Sequence, residues 1–95
     1  MPMILDYCTY VLFSFKDRAF YVGFTSNLNN RLQDHHHGRV ISTKNRRPLE
    51  LVYSEYHQNK YDALRREKYL KSTAGKKGLR LMIRERLQEI IKSSL

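Results

Sequence analysis

Two runs of aromatic and β-branched residues, only four residues apart, constrain the fold of this chain most strongly. The first run, YCTYVLFSF, covers Tyr7–Phe15 and shows little alternation of polar and apolar residues. That pattern predicts a strand covered on both faces. The second run, Phe20–Phe24, follows the polar segment KDRA. So short a break predicts that the second strand returns beside the first as a β-hairpin.

The rest of the chain predicts three helices and one more strand. A helix should begin at a cap among Thr25, Ser26 and Asn27, run to about His37 and end at Gly38. The alternating segment LELVYSEY predicts a third strand. The segment NKYDALRREKYLKS, with an asparagine at its start, predicts a second helix, and STAGKKG predicts a break. A last amphipathic helix is expected over about 79–92.

The order β-β-α-β-α-α predicts an α+β fold with a three-stranded, mainly antiparallel central sheet flanked by helices. At 95 residues, the chain is expected to form a single domain over residues 1–95.

The charge balance predicts a polyanionic partner. Eighteen Lys and Arg residues against nine Asp and Glu residues give a net charge of +9. Nucleic acid is the first candidate and an anionic membrane the second, and a basic protein without a specific partner is the alternative. No apolar run is long enough to span a bilayer, and the start lacks the features of a signal peptide, so we expect a cytoplasmic protein. The single cysteine, Cys8, excludes an internal disulfide and a Cys-rich zinc site, and we expect it to be a buried apolar residue.

The first helix carries two polar residues on its apolar stripe. Arg31 and His35 share the helical face of Leu28 and Leu32, at i+3 and i+7. A guanidinium is always charged and binds two phosphate oxygens at once, so an inward arginine suits a phosphodiester. Alternatively, the stem of Arg31 lies along the sheet while its head reaches water. His35 lies one turn beyond and could act as a base or a phosphate donor. The three adjacent histidines at 35–37 point about 100° apart on a helix, so they cannot converge on one metal ion.

Glu67 is the candidate metal ligand. It shares the side of the second helix on which Leu64 and Leu70 lie. A single carboxylate can hold Mg²⁺ that keeps most of its waters and takes phosphate oxygens from a substrate. The alternative is an i, i+4 ion pair between Glu67 and Lys71.

Two tyrosines of the hairpin could position or deprotonate a water molecule, or could simply belong to the core. Tyr10 and Tyr21 lie on the same face of the sheet only if the residue numbers of each cross-strand pair of the hairpin add up to an odd number. A four-residue loop that pairs Phe15 with Phe20 meets that condition.

Two basic clusters are candidate contacts for the phosphate backbone of nucleic acid, or are solvated charge runs. The loop between the first helix and the third strand carries Lys44, Arg46 and Arg47. The segment before the last helix carries Lys76 and Lys77.

Together these residues resemble the GIY-YIG endonucleases. The second half of the family motif is present as YVG at 21–23, and the first as CTY at 8–10, with Cys and Thr in place of Gly and Ile. Arg31 lies ten residues after Tyr21, where the family has its helix arginine. His35, Lys44 and Glu67 also match family positions, Glu67 as the metal-binding glutamate. The similarity covers about residues 8–78, and it is greatest to the small stand-alone members.

The resemblance implies a DNA endonuclease with one divalent metal ion, Mg²⁺ or Mn²⁺, acting in DNA repair, recombination or mobile DNA. Glu67 would hold the ion, Arg31 would stabilise charge on the phosphate, and Tyr10 or Tyr21 would orient or deprotonate the water. His35 and Lys44 would assist proton transfer or the leaving oxygen. The alternative is a catalytically silent nucleic-acid-binding module of the same fold, or an adaptor that recruits other DNA-processing proteins. The oligomeric state stays open.

Overall fold

A computed structural model describes residues 5–93 and contains the predicted sheet. The strands are β1 (Tyr7–Ser14), β2 (Phe20–Thr25) and β3 (Leu49–His57). They form an antiparallel sheet in the order β2-β1-β3, which places the hairpin's first strand at the centre. The predicted α+β class and the three-stranded antiparallel sheet flanked by helices are confirmed.

The helices are α1 (Leu28–His36), α2 (Lys60–Lys71), α3 (Thr73–Met82) and α4 (Arg84–Ser93), and a short 3-10 helix covers Lys44–Arg46. Of the three candidate caps of α1, Asn27 is the one used, and its side chain accepts a hydrogen bond from the Asn30 N–H. Gly38 follows the end of this helix with a φ of 73°. Both features match the prediction, because an asparagine cap and a glycine stop are local signals.

The C-terminal part differs from its sequence prediction. The segment STAGKKG is not a break, because Ser72 ends α2 and its side chain caps α3 by accepting a hydrogen bond from the Gly75 N–H. The predicted single helix over 79–92 is instead two helices, α3 and α4, which meet at Ile83.

The two faces of β1 are both covered, as its composition predicted. Odd-numbered residues such as Val11 and Phe13 pack under α2, α3 and α4 in the larger core. Even-numbered residues Cys8, Tyr10 and Leu12 face α1 in a smaller cluster. Cys8 is buried, as expected.

One side-chain hydrogen bond joins the central strand to α2. The hydroxyl of Thr9, on the larger-core face of β1, donates to the carbonyl oxygen of Ala63 at 2.8 Å. Both residues are fully buried, so β1 and the helix that carries Glu67 are held in fixed register.

Within residues 5–93, no helix is both long and apolar enough to cross a membrane.

Candidate active site

Tyr10 and Tyr21 lie on the same face of the sheet, as the parity condition required. The strands pair Tyr10 with Gly23 and Leu12 with Tyr21. Paired positions therefore sum to 33, whereas the predicted pairing of Phe15 with Phe20 sums to 35. The predicted register is wrong by two residues, but its odd sum, and hence the shared face, is correct. The two tyrosine rings lie 6.3 Å apart between centroids.

Gly23 makes room for the Tyr10 side chain. A Cβ atom on Gly23 would lie 2.5 Å from both Cζ and Oη of Tyr10. The phenol therefore crosses directly over the neighbouring strand, and any side chain at position 23 would displace it.

Arg31 contacts both phenols from α1. Its guanidinium donates a hydrogen bond to the Tyr10 hydroxyl, and this bond is the main reason why the pKa of Arg31 is raised. Tyr21 is a second, weaker electrostatic partner. No ion pair with a carboxylate is recorded for Arg31 within residues 5–93. A half-buried cation is thus held in place by neutral oxygens, with its charge uncompensated by the protein there.

His35 links Tyr10 to Thr43 through a buried chain of hydrogen bonds. Its Nε2 lies 2.6 Å from the Tyr10 hydroxyl and its Nδ1 lies 2.7 Å from Oγ1 of Thr43. The exposed fractions are 0% for Tyr10, 1% for His35 and 0% for Thr43. A neutral imidazole donates one of these two hydrogen bonds and accepts the other.

Burial keeps this chain of groups neutral. It lowers the pKa of His35 to about 4, with a further contribution from the Arg31 charge. It also raises the pKa of Tyr10 to about 12, although the hydrogen bond from Arg31 opposes that shift. Near neutral pH, the positive charge in this cluster is therefore that of Arg31.

Glu67 lies on α2, whose buried residue Leu70 belongs to the larger core. The Glu67 carboxylate is 3.4 Å from Nζ of Lys71. This is the i, i+4 pair that the sequence offered as an alternative to metal binding. The side chain is 20% exposed, whereas that of Lys71 is 54% exposed, so the pair is loose and open to solvent.

The residues of the described segment, 5–93, contain no cluster of three His, Cys, Asp or Glu side chains that could enclose a metal ion. A site of the magnesium type does not need one, because Mg²⁺ is commonly held by one or two carboxylates, waters and substrate phosphates. A half-buried carboxylate on a helix, paired loosely with a flexible lysine, fits that requirement.

The three basic residues of the loop before β3 have different environments. Lys44 is exposed. Arg46 is engaged, because its guanidinium pairs with Asp17 and donates to the carbonyl oxygen of Phe20. Arg47 donates to the carbonyl oxygens of Lys44 and His36. Lys76 and Lys77 lie on α3, away from the tyrosine face.

Sequence reasoning did not identify Thr43. Its neighbours are basic and its segment has no hydrophobic period, so no pattern marks it as buried. The only local signal is the turn in which the Thr43 N–H donates to the carbonyl of Val40, which the structure reveals.

Comparison with known proteins places the chain among small relatives. A model of the GIY-YIG catalytic domain matches residues 6–80. A UPF0213 protein from Staphylococcus aureus is 41% identical over 71 residues, which cover 74% of this chain and 85% of the relative. One from Clostridium perfringens is 36% identical over 75 residues, covering 78% and 81%. The solution structure of a UPF0213 protein from Bacillus halodurans aligns with a TM-score of 0.52 at 29% identity, covering 80% of this chain and 83% of that one.

Proposed function

The chain belongs to the GIY-YIG family of nuclease domains, and from this premise we propose that it is a metal-dependent endonuclease that hydrolyses phosphodiester bonds of DNA. The observation that carries the proposal is the placement of Arg31. Its guanidinium is held between two phenols on the face of the sheet without a carboxylate partner in the described part of the chain. A phosphate group would supply the missing negative charge.

The two tyrosines have separate roles in this proposal. Tyr10 is fully buried and its pKa is raised to about 12, so it keeps its proton and positions Arg31 and His35. Tyr21 is half-buried, unlike Tyr10, and it lies beside Arg31. Tyr21 is therefore the residue that orients the attacking water, and Tyr10 is a positioning residue.

Arg31 acts on the phosphate itself. Negative charge grows on the phosphoryl oxygens as the water oxygen bonds to phosphorus and the bond to the leaving oxygen breaks. A guanidinium fixed in place before the reaction stabilises that charge without reorganising. His35, neutral and hydrogen-bonded on both nitrogens, fixes the Tyr10 hydroxyl in the position that Arg31 needs. Lys44 remains a candidate for assisting the leaving oxygen.

Glu67 would hold one Mg²⁺ or Mn²⁺ ion. When bound, such an ion polarises phosphoryl oxygens and lowers the pKa of coordinated water. The contribution of the chain is a single carboxylate whose present partner, Lys71, is mostly exposed and easily displaced.

Nicking of supercoiled plasmid DNA by the purified protein tests the proposal. We expect nicks with Mg²⁺ or Mn²⁺, and none with a chelator or in the Glu67→Ala variant, while DNA binding persists. Glu85→Ala is the matched control, because Glu85 is an exposed glutamate of α4 paired with Arg84. Unchanged nicking by Glu67→Ala would overturn the role of Glu67. Salt-sensitive binding without cleavage of plasmid, branched or single-stranded DNA would favour the binding module instead.

A further inference from the structure

We propose that a basic pocket beyond the C-terminal end of α1 binds a second phosphate of the nucleic acid strand whose scissile phosphate Arg31 holds. This assignment rests on the proposed function, because it deepens the description of the same substrate. The pocket has a volume of about 450 Å³, and three segments of the chain supply its polar lining. They are the β1–β2 loop with Lys16, the end of α1 with His36, and the loop with Lys44, Asn45 and Arg47.

The charges in the pocket all have one sign. None of the residues that line it is acidic. The two carboxylates next to lining residues in sequence, Asp17 and Glu50, are paired with Arg46 and Arg86, neither of which lines the pocket. Within residues 5–93, neither Lys16 nor Lys44 has a recorded ion pair. Like charges brought together raise the free energy of the pocket, and a bound anion relieves that repulsion.

The Arg47 guanidinium is fixed before any ligand binds. Its Nε donates to the Lys44 carbonyl oxygen at 3.0 Å and one Nη donates to the His36 carbonyl oxygen at 3.3 Å. It also packs against Gly38, where an added Cβ would lie 2.7 Å from the guanidinium carbon. The φ of 73° at this position also favours a glycine. Fewer degrees of freedom are lost when a phosphate binds to a group already held in place.

The position of the pocket indicates a strand rather than an isolated ion. His36 follows Arg31 by five residues, which is about 7.5 Å along the axis of α1. Phosphates of one strand of duplex DNA recur at a rise of about 3.4 Å. The axial offset between the two residues is therefore about two such rises. His36 also lines an adjoining cavity of about 220 Å³, whose lining includes His35, the hydrogen-bond partner of Tyr10.

The pocket differs from the basic cluster that the sequence indicated. Arg46 is excluded, since Asp17 and the Phe20 carbonyl occupy its guanidinium. Lys16 and His36 are added, although they lie far from the loop in sequence. The proposed phosphate contacts therefore come from segments that the fold brings together, and not from one run of charged residues in the sequence.

Two measurements on the Lys16→Ala/Lys44→Ala variant test the pocket. The first is the salt dependence of duplex binding, measured in a Glu67→Ala background so that the DNA stays intact. The slope of log K against log salt is negative, and each lost phosphate contact reduces its magnitude by about 0.9. The double variant, which loses the one proposed phosphate, should therefore show a magnitude smaller by about 0.9. Lys60→Ala/Lys68→Ala is the matched control, because both lysines are exposed on α2, and its slope should stay unchanged.

The second measurement is a titration of the isotope-labelled protein with inorganic phosphate, followed by NMR. We expect the amide signals of His36 and residues 44–47 to shift, and the shifts to disappear in the Lys16→Ala/Lys44→Ala variant. Shifts without a change in slope would overturn the assignment to a nucleic acid strand and leave a pocket for free phosphate. Unchanged slopes without shifts, or equal slope losses in both double variants, would overturn the pocket. If the slope change of the double variant and the phosphate-induced shifts are both as expected, but the parent protein nicks no DNA, the pocket is supported and the nuclease proposal is rejected.

Discussion

The phenol of Tyr10 crosses over Gly23 on the neighbouring strand so closely that a Cβ there would lie 2.5 Å from the Tyr10 hydroxyl oxygen. The YVG motif thus ends in glycine because the tyrosine of the other half-motif leaves no room for a side chain there. This contact explains why the two half-motifs, eleven residues apart by their tyrosines, act as one structural unit.

Gly23→Ala should destabilise the protein and lower nicking together. The added methyl group displaces the Tyr10 ring, and overpacking of this kind costs about 1–3 kcal/mol. Urea denaturation measures the loss of stability. Gly78→Ala is the control, because a Cβ on this exposed glycine of α3 meets no atom within 4 Å, so it should stabilise the helix by about 0.5–1 kcal/mol. A neutral effect of Gly23→Ala would show that Tyr10 can move freely.

Removal of the two phenol hydroxyls should have different effects. Tyr10→Phe leaves His35 Nε2 without its partner in a buried site, at a cost of about 1–3 kcal/mol. Tyr21→Phe should change stability by less than about 0.5 kcal/mol and lower the nicking rate by roughly 10²-fold or more. Thermal denaturation and single-turnover nicking of both variants separate the two roles. Equal stability losses would contradict the assignment of Tyr10 as the positioning residue.

The stability of the protein should fall on mild acidification because of His35. Its pKa drops from 6.5 to about 4 on folding, so between these values the unfolded chain binds a proton that the folded chain does not. The free energy of unfolding therefore decreases as the pH falls below about 6.5, and from about pH 8 to about pH 5.5 the loss is roughly 1 kcal/mol. Urea titrations at both pH values measure it. His35→Gln has no titrating group there, and an equally large loss in this variant would assign the effect to other residues.

Arg46 should contribute to stability and Lys44 should not. Arg46→Ala removes the ion pair with Asp17 and a donor to the Phe20 carbonyl oxygen, a loss of about 1 kcal/mol for a partly exposed pair. Lys44→Ala should stay within about 0.5 kcal/mol of the parent protein. The hydrogen bond from Arg46 also lowers the pKa of Asp17 to about 2, so an NMR titration of Asp17 in Arg46→Ala should show it rising towards 3.8. An unmoved Asp17 pKa would mean that the ion pair does not persist in solution.

The sequence predicted those parts of the fold that short patterns encode. The cap at Asn27, the stop at Gly38 and the covered central strand follow from local chemistry and from composition. The predicted register of the hairpin was wrong because the loop between β1 and β2 is longer than the polar segment KDRA. Two backbone hydrogen bonds, from Ser14 N–H to the Ala19 carbonyl and from Arg18 N–H to the Ser14 carbonyl, close that loop.

The break predicted over STAGKKG was wrong because the glycines of this segment were taken as signs of a turn. Gly75 is required by close packing, since a Cβ there would lie 2.0 Å from the Tyr69 carbonyl oxygen, and not by a turn. The residue patterns alone did not locate Thr43 or the basic pocket, because each depends on loops that tertiary packing brings together. Spacing did predict correctly that Arg31 and His35 lie on the apolar face of α1, because helical periodicity is independent of the rest of the fold.

The hydrogen bond from Thr9 to Ala63 has a consequence for how the length of this chain can change. Thr9 and Tyr10 are consecutive residues on opposite faces of β1: one fixes the helix that carries Glu67 and the other fixes Arg31. The helix that carries the proposed metal ligand and the phosphate-binding arginine are therefore both attached to the same two consecutive residues of β1. Insertions in the connecting loops would leave both attachments intact. A one-residue slip of β1 would exchange its two faces and dismantle both halves of the site at once.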